Sequence, residues 1–218
     1  MDIPSQWTFQ NQAVAREFDQ HVRGQLPWYD MATRAVVHIC RHYIPEHGGM
    51  VYDLGCATGN IARSLAPLLD ARGTQMVSID ASQEMVDRFD GPGVVRRGRL
   101  EEMRFDPFDV GILFLTLMFV PPAARSGVLS RLRSQCRPGG AVLLVERVEP
   151  HPGYVSTVLA RLTLSEKLQA GVPGEEVLRK ELSLAGIQRP LAMQELPRDA
   201  REWFRFGDFV GWILEAPR

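Results

Sequence analysis

Apolar positions along the chain change period several times, and each change marks an element. Val51, Tyr52 and Leu54 form a short apolar run of the kind a buried parallel strand needs. Gly55 and Gly59 then open a turn, and Ile61, Leu65, Leu68 and Leu69 follow at helical spacing. Strand, glycine turn and helix in that order predict the opening unit of a doubly wound α/β sheet. Ligands of such sheets sit at the strand's carboxyl end. Upstream, Phe9, Val14, Phe18 and Val22 make one helical stripe over residues 8 to 24, which Gly24 and Pro27 end. Trp28-Tyr29 begins a second apolar helix running to about Tyr43.

The same rhythm continues downstream. Gln75 to Ile79 reads as the second strand and ends at Asp80. Ser82 is placed to cap a helix whose apolar residues are Met85, Val86 and Phe89. Gly93 to Arg97 predicts a third, weaker strand, and Asp109 to Leu117 a fourth. A helix over 122–136 turns Val128, Leu129 and Leu132 inward and Arg125, Arg131 and Arg133 outward. Arg137-Pro-Gly-Gly140 is a turn into a fifth strand, Ala141 to Val145, ending at Glu146. Residues 150–186 break the rhythm with two helical stripes separated by Gly171-Val-Pro-Gly174, an insertion over the cleft. Trp203 to Phe206 and Asp208 to Leu214 predict a final strand pair, antiparallel at its end. The expectation is one domain over 1–218, with 1–48 as N-terminal helices covering a cleft.

Composition adds limits. A 45 % hydrophobic content is ample for a core, and a net charge of −1 gives no general attraction to nucleic acid or anionic membrane. Three cysteines, Cys40, Cys56 and Cys136, have no framework spacing. The start of the chain has no basic and apolar leader pattern, and no stretch reaches the roughly 18 to 20 apolar residues of a membrane span. A cytoplasmic protein is expected.

Candidate chemistry centres on the glycine turn. Its Gly-x-x-x-Gly-Asn spacing differs from the dinucleotide-binding Gly-x-Gly-x-x-Gly, and no Gly-Lys-Ser/Thr follows for a triphosphate. Asp80, some twenty-odd residues past the loop at a strand end, suits the two ribose hydroxyls of an adenosine group. His38 and His42 share a helix face but lack completing ligands, so no metal is expected. Cys56 lies near a helix N-terminus, which lowers a thiol pKa, yet without a supporting His it reads as a small filler beside a ligand. Arginines at 96, 97, 99 and 104, and at 198, 201 and 205, are balanced by Glu101, Glu102 and Glu202. No base-flipping phrase follows strand four, so a small-molecule substrate is preferred over nucleic acid.

Val51-Tyr-Asp-Leu-Gly-Cys-Ala-Thr-Gly-Asn60 resembles the first motif of the class I S-adenosylmethionine-dependent methyltransferases. That resemblance implies a Rossmann-like, mostly parallel seven-stranded sheet with helices on both faces. Trp7-Thr-Phe9, Pro27-Trp-Tyr29, Ser78-Ile-Asp80, Leu115-Thr-Leu-Met-Phe119, Arg137-Pro-Gly-Gly140 with Glu146-Arg147, and Trp203-Phe…Phe209 extend it. Together they are similar to the carboxy-S-adenosylmethionine synthases, which serve wobble-uridine modification of tRNA. The resemblance implies cofactor contacts at Tyr29, Asp53, Gly55, Cys56, Ala57, Gly59, Asp80 and Ala81. At the adenine edge they fall on Arg99 and Leu100, and after strand four on Phe114. The family's Gly-Asp at the adenine edge is Gly98-Arg99 here, and its Asn before the Thr-Leu phrase is Phe114. Its arginine clamp for the extra carboxylate falls in the insertion, where Arg179 or Lys180 stands in.

Three functions follow as expectations. The first is methyl transfer from S-adenosylmethionine to a small-molecule acceptor, where the protein mainly aligns the acceptor with the S–CH₃ bond. The alternative is synthesis of carboxy-S-adenosylmethionine: a proton leaves the sulfonium methyl, the carbon captures carbon dioxide from prephenate, and a cation holds the new carboxylate. The third is a non-catalytic cofactor-binding module. No general base stands out for either reaction, and a homodimer is an open assembly.

Overall fold

The computed structural model describes residues 4–149 and 153–217. Residues 1–3 of the expected N-terminal cover and 150–152 of the expected insertion lie outside them. Seven strands form one sheet: β1 (Met50–Leu54), β2 (Gln75–Asp80), β3 (Val94–Arg97), β4 (Phe108–Phe114), β5 (Cys136–Arg147), β6 (Arg201–Phe206) and β7 (Phe209–Glu215). Their order is β3-β2-β1-β4-β5-β7-β6. The first five are mutually parallel, and β7 runs antiparallel to both β5 and β6. The order reverses direction between β1 and β4, so a crevice opens at their carboxyl ends.

Side-chain alternation places each strand's residues in two apolar layers. From β1, Val51 joins one layer, and Tyr52 and Leu54 join the other. Helices α1 (Gln12–Gln25), α2 (Tyr29–Tyr43) and α3 (Asn60–Arg72) supply the first layer, and α5 (Pro122–Gln135) the second. Buried on both faces, each large aliphatic side chain here contributes about 1.5–3 kcal/mol. Between β2 and β3 lies a single turn, α4 (Gln83–Val86), capped by Ser82, whose Oγ accepts from the Met85 amide at 3.2 Å. The expected insertion is a hairpin of α6 (Tyr154–Gln169) and α7 (Gly174–Ser183).

Three details depart from the linear reading. β4 ends at Phe114 rather than Leu117, because Leu115 takes a left-handed conformation and Leu117–Phe119 forms a 3₁₀ turn. The Arg-Pro-Gly-Gly segment is drawn into β5 as an irregular stretch, with a shift of register against Phe108 and Val110. Arg125, read as outward, is 1 % exposed. Its guanidinium donates to the carbonyls of Val120, Arg189 and Pro190 and pairs with Glu195 at 3.0 Å. It thereby fastens α5 to the segment after α7, a partner that helical periodicity does not reveal.

Removing such a cation leaves buried acceptors without a donor. Arg125→Ala is expected to cost about 3–5 kcal/mol in urea unfolding, as for breaking one half of a buried pair. An unchanged midpoint would contradict this role.

Candidate active site

The glycine turn leaves β1 under tight steric control. Gly55 has φ of 79°, and a β-carbon there would collide with the side chain of Thr116. Thr116 reaches this position because its Oγ1 donates to the Leu54 carbonyl at 2.7 Å. The Gly55 and Cys56 amides donate to the Ile79 carbonyl at 2.7 and 3.0 Å, tying the loop to β2. Ala57 is left-handed with φ of 46°, an uncommon state for a residue with a side chain.

Asp80, at the end of β2, accepts from the Ala57 amide through Oδ2 and from the Ser82 amide through Oδ1, both at 2.9 Å. It therefore shapes the loop as well as facing the cavity. Burial raises its pKa, opposed by the backbone donors. Asp53 is more extreme. It is 1 % exposed, and its Oδ2 is buried without a hydrogen-bond partner among the described residues. Burial, with Asp80 nearby, pushes its carboxyl up to about 7. Unsatisfied buried oxygens of this kind are rare and mark a place where a ligand donor fits.

The floor is the turn after β4. Glu146, at the end of β5, is fully buried and accepts from the amides of Thr116 (3.0 Å), Leu117 (2.7 Å) and Met118 (3.2 Å). Burial pushes its carboxyl up to about 7 against the pull of those amides. Leu115, held left-handed at φ of 61°, is a strained conformation for a bulky residue, of the kind that gathers at functional sites.

These elements surround a cavity of about 260 Å³. Asp53, Gly55, Cys56, Ala57, Asp80 and Ala81 line one end. Tyr29 also lines it, buried with its ring edge-to-face on Phe114 at 5.2 Å. Arg99 and Leu100 reach the rim; Leu100 is buried, whereas Arg99 is exposed and paired with Glu101 at 2.5 Å. Gly59 is not in the lining; at φ of 98° it starts α3 and packs beside Gly91 and Phe89. Burial raises the Cys56 thiol pKa, the reverse of the helix-terminus expectation. No group of three His, Cys, Asp or Glu arranged to hold a metal occurs among the described residues.

The other end is cationic. Lys180 of α7 is 8 % exposed, sits over the Trp7 ring and lines the cavity. Burial, with Lys167 adding repulsion, pulls its pKa down to about 5. Lys167 of α6 donates to Glu181 at 2.7 Å, and Arg147 shares that carboxylate at 3.1 Å while pairing with Asp208 at 2.6 Å. Arg179, the other candidate clamp, is corrected: it points outward, half exposed, to Glu175. On a helix, neighbours 179 and 180 are about 100° apart, so only one of them faces the cavity. Lys167 escaped the sequence reading because it lies in an apolar helical stripe, and Glu181 because nothing local separates it from a solvated charge.

The N-terminal cover is a strap rather than a helix at this point. The Trp7 amide donates to the Ser183 carbonyl at 2.8 Å, and Ser82 Oγ to the Phe9 carbonyl at 2.7 Å.

Comparison with known proteins agrees with this geometry. Residues 51–140 match the family model described as a methyltransferase domain. Human N-acetylserotonin methyltransferase, solved in complex with S-adenosylmethionine, superposes with a TM-score of 0.62 at 16 % identity, over 96 % of this chain and 58 % of that one. An S-adenosylmethionine-dependent methyltransferase from Clostridium acetobutylicum gives 0.60 at 10 % identity, over 93 % and 99 %. The chain thus has the Rossmann-like class I methyltransferase fold, with the methyltransferase-domain match confined to residues 51–140. Among curated proteins it is similar to the carboxy-S-adenosyl-L-methionine synthase of Staphylococcus epidermidis, 27 % identical over 96 % of this chain and 97 % of the relative. No helix among the described residues is long and apolar enough to cross a membrane.

Asp53 generates a pH prediction. Its folded pKa lies above the ordinary 3.8, so its stability contribution is fully present below about pH 4 and is lost as pH rises through about 7. Asp53→Asn is expected to remove that loss. The variant should gain on the order of 2–4 kcal/mol over the parent between pH 4 and pH 8, measured by urea midpoints. Parallel pH curves for the two proteins would refute the assignment.

Proposed function

We propose that this protein binds S-adenosylmethionine at the Gly55–Ala57 loop and converts it to the carboxylated cofactor with a small carboxylate-bearing second substrate. Two acids favour the cofactor's fit. Asp53 offers an unpaired buried oxygen to the amino group, and Asp80 lies at the strand end that receives ribose hydroxyls. S-adenosylmethionine supplies the sulfonium carbon that accepts the carboxyl. Tyr29 and Phe114 wall the cavity with apolar surface and limit water there.

Lys180 carries the reading. It is a buried amine that faces the cavity, has no carboxylate within ion-pair distance among the described residues, and becomes an ammonium when a carboxylate binds. Lys167 and Arg147 have already neutralised Glu181 and Asp208. An arriving carboxylate completes Lys180's coordination in a low-dielectric place, where charge-assisted hydrogen bonds are strong. Prephenate supplies such groups, and the similarity to carboxy-S-adenosyl-L-methionine synthases supports the same reaction. Methyl transfer to an acidic small molecule is the second reading; the exposed Arg99 and apolar Phe114 at the cofactor edge favour it.

Ligand extracted from purified protein and weighed by mass spectrometry separates the two. The carboxylated cofactor, heavier by one CO₂, is expected together with consumption of prephenate. Unmodified cofactor alone, with prephenate intact, would exclude synthesis.

Lys180 also makes binding pH-dependent. The free group is largely neutral above its value of about 5, so a bound carboxylate must draw one proton onto it. Prephenate affinity is expected to fall by up to about tenfold per unit as pH rises from about 6 to about 8. Lys180→Met should bind more weakly and without that slope. Equal slopes in calorimetry would show that another group holds the acid.

A further inference from the structure

His21 of α1 lines the same cavity, yet neither the cofactor nor the carboxylate reading uses it. Its side chain is 7 % exposed and its ring stacks on Trp7, centroids 5.6 Å apart and planes 23° from parallel. Nδ1 lies 3.9 Å from Glu176 Oε1, and Gln25 Nε2 approaches the same oxygen at 3.4 Å. Contacts of this length in unliganded sites commonly tighten when substrate closes them. Nε2, on the other side of the ring, is buried and has no hydrogen-bond partner among the described residues.

The chemistry of that nitrogen follows from its surroundings. Burial and the positive charge of Lys180 and Lys167 pull the imidazole down to about 3, against a small opposing effect of Glu17, so the ring is neutral near pH 7. A neutral imidazole carries one N–H and one lone pair. Glu176 beside Nδ1 favours the proton there, which leaves the lone pair on Nε2. A buried lone pair calls for a donor from the ligand. Lys167, and Lys180 once protonated against a carboxylate, act on the ring with positive charge, so a cationic donor is disfavoured. An uncharged hydroxyl meets both conditions.

We propose that His21, oriented by Glu176 and the Trp7 ring, is a specificity-determining acceptor for a hydroxyl of the second substrate. That substrate is then a hydroxylated acid, with its carboxylate on Lys180 and its hydroxyl on His21. The carboxylate half of this statement rests on the reading of Lys180 given above; the His21 half stands on its own geometry.

Two measurements on the full chain with S-adenosylhomocysteine bound test it. The first compares mandelate with phenylacetate, aromatic acids that differ by one hydroxyl, in calorimetry. The parent is expected to prefer mandelate by about five- to tenfold, the worth of one hydrogen bond, and His21→Phe to bind the two equally. His21→Gln, which keeps an acceptor, should recover part of the preference. Equal affinities in the parent, or a preference that survives in His21→Phe, would overturn the proposal. The second is nitrogen NMR of histidine-labelled protein, with His21 assigned from its missing signals in His21→Phe. The Nδ1–H tautomer is expected at pH 7, with the Nε2 signal moved by mandelate. An Nε2–H tautomer or an imidazolium at pH 7 would overturn it. If neither acid binds, the Lys180 reading fails, and the tautomer decides His21 alone: Nδ1–H upholds the acceptor and Nε2–H refutes it.

Discussion

The site depends on one buried carboxylate that does not itself line the cavity. Glu146 gathers three successive backbone amides from Thr116 to Met118 and so bends the chain sharply out of β4. That bend puts Leu115 in a left-handed state and swings Thr116 against Gly55. Two loops from neighbouring strands, at the point where sheet order reverses, are thereby locked to each other. Without an acceptor at the end of β5, the amides would be orphaned in the core, and the floor would have no reason to hold this shape. The cost is a carboxylate kept in a low-dielectric place, offset only because it is fully hydrogen-bonded.

Charge is segregated across the cavity. Acids lie under the glycine-loop end, where burial, with Asp80 adding repulsion, raises the Asp53 pKa to about 7. Basic groups lie at the other end, where Arg147 and Lys167 balance Glu181 and Asp208 and Lys180 is left without an anion of its own. Each end thus favours a ligand of opposite sign. A zwitterionic, cationic sulfonium cofactor suits the first, and an acid suits the second. A buried acid without a donor and a buried amine without an anion both cost folding stability in the empty protein, and a ligand of the matching charge would relieve them, a form of pre-organisation.

The site was legible where its residues act through the backbone or through strand position. Gly55, Asp80 and the β1 apolar run announced the loop and its carboxylate, because a tight turn and a strand end restrict residue type locally. The strands and the antiparallel final pair followed from period and punctuation in the same way, whereas their order in the sheet did not. The adenine edge and Tyr29 came from family resemblance, and the structure adds that Tyr29 rests on Phe114.

What could not be read locally was orientation. Arg125 and Lys180 sit in helical sequence patterns that look solvated, and only the packing of the segment after α7 and of Trp7 makes them buried. Arg179 and Lys180 are equivalent in a string, and the hairpin's rotation sends one to Glu175 and the other to the cavity. His21 is an ordinary polar position of α1 until Trp7 and Glu176 close around it from residues far along the chain. By itself the sequence determined the strands, the glycine loop and the carboxylate at Asp80, since strand period and turn geometry are short-range constraints. Only the tertiary structure decided which cations face the cavity, because that depends on how distant helices rotate and dock, and no local spacing encodes it.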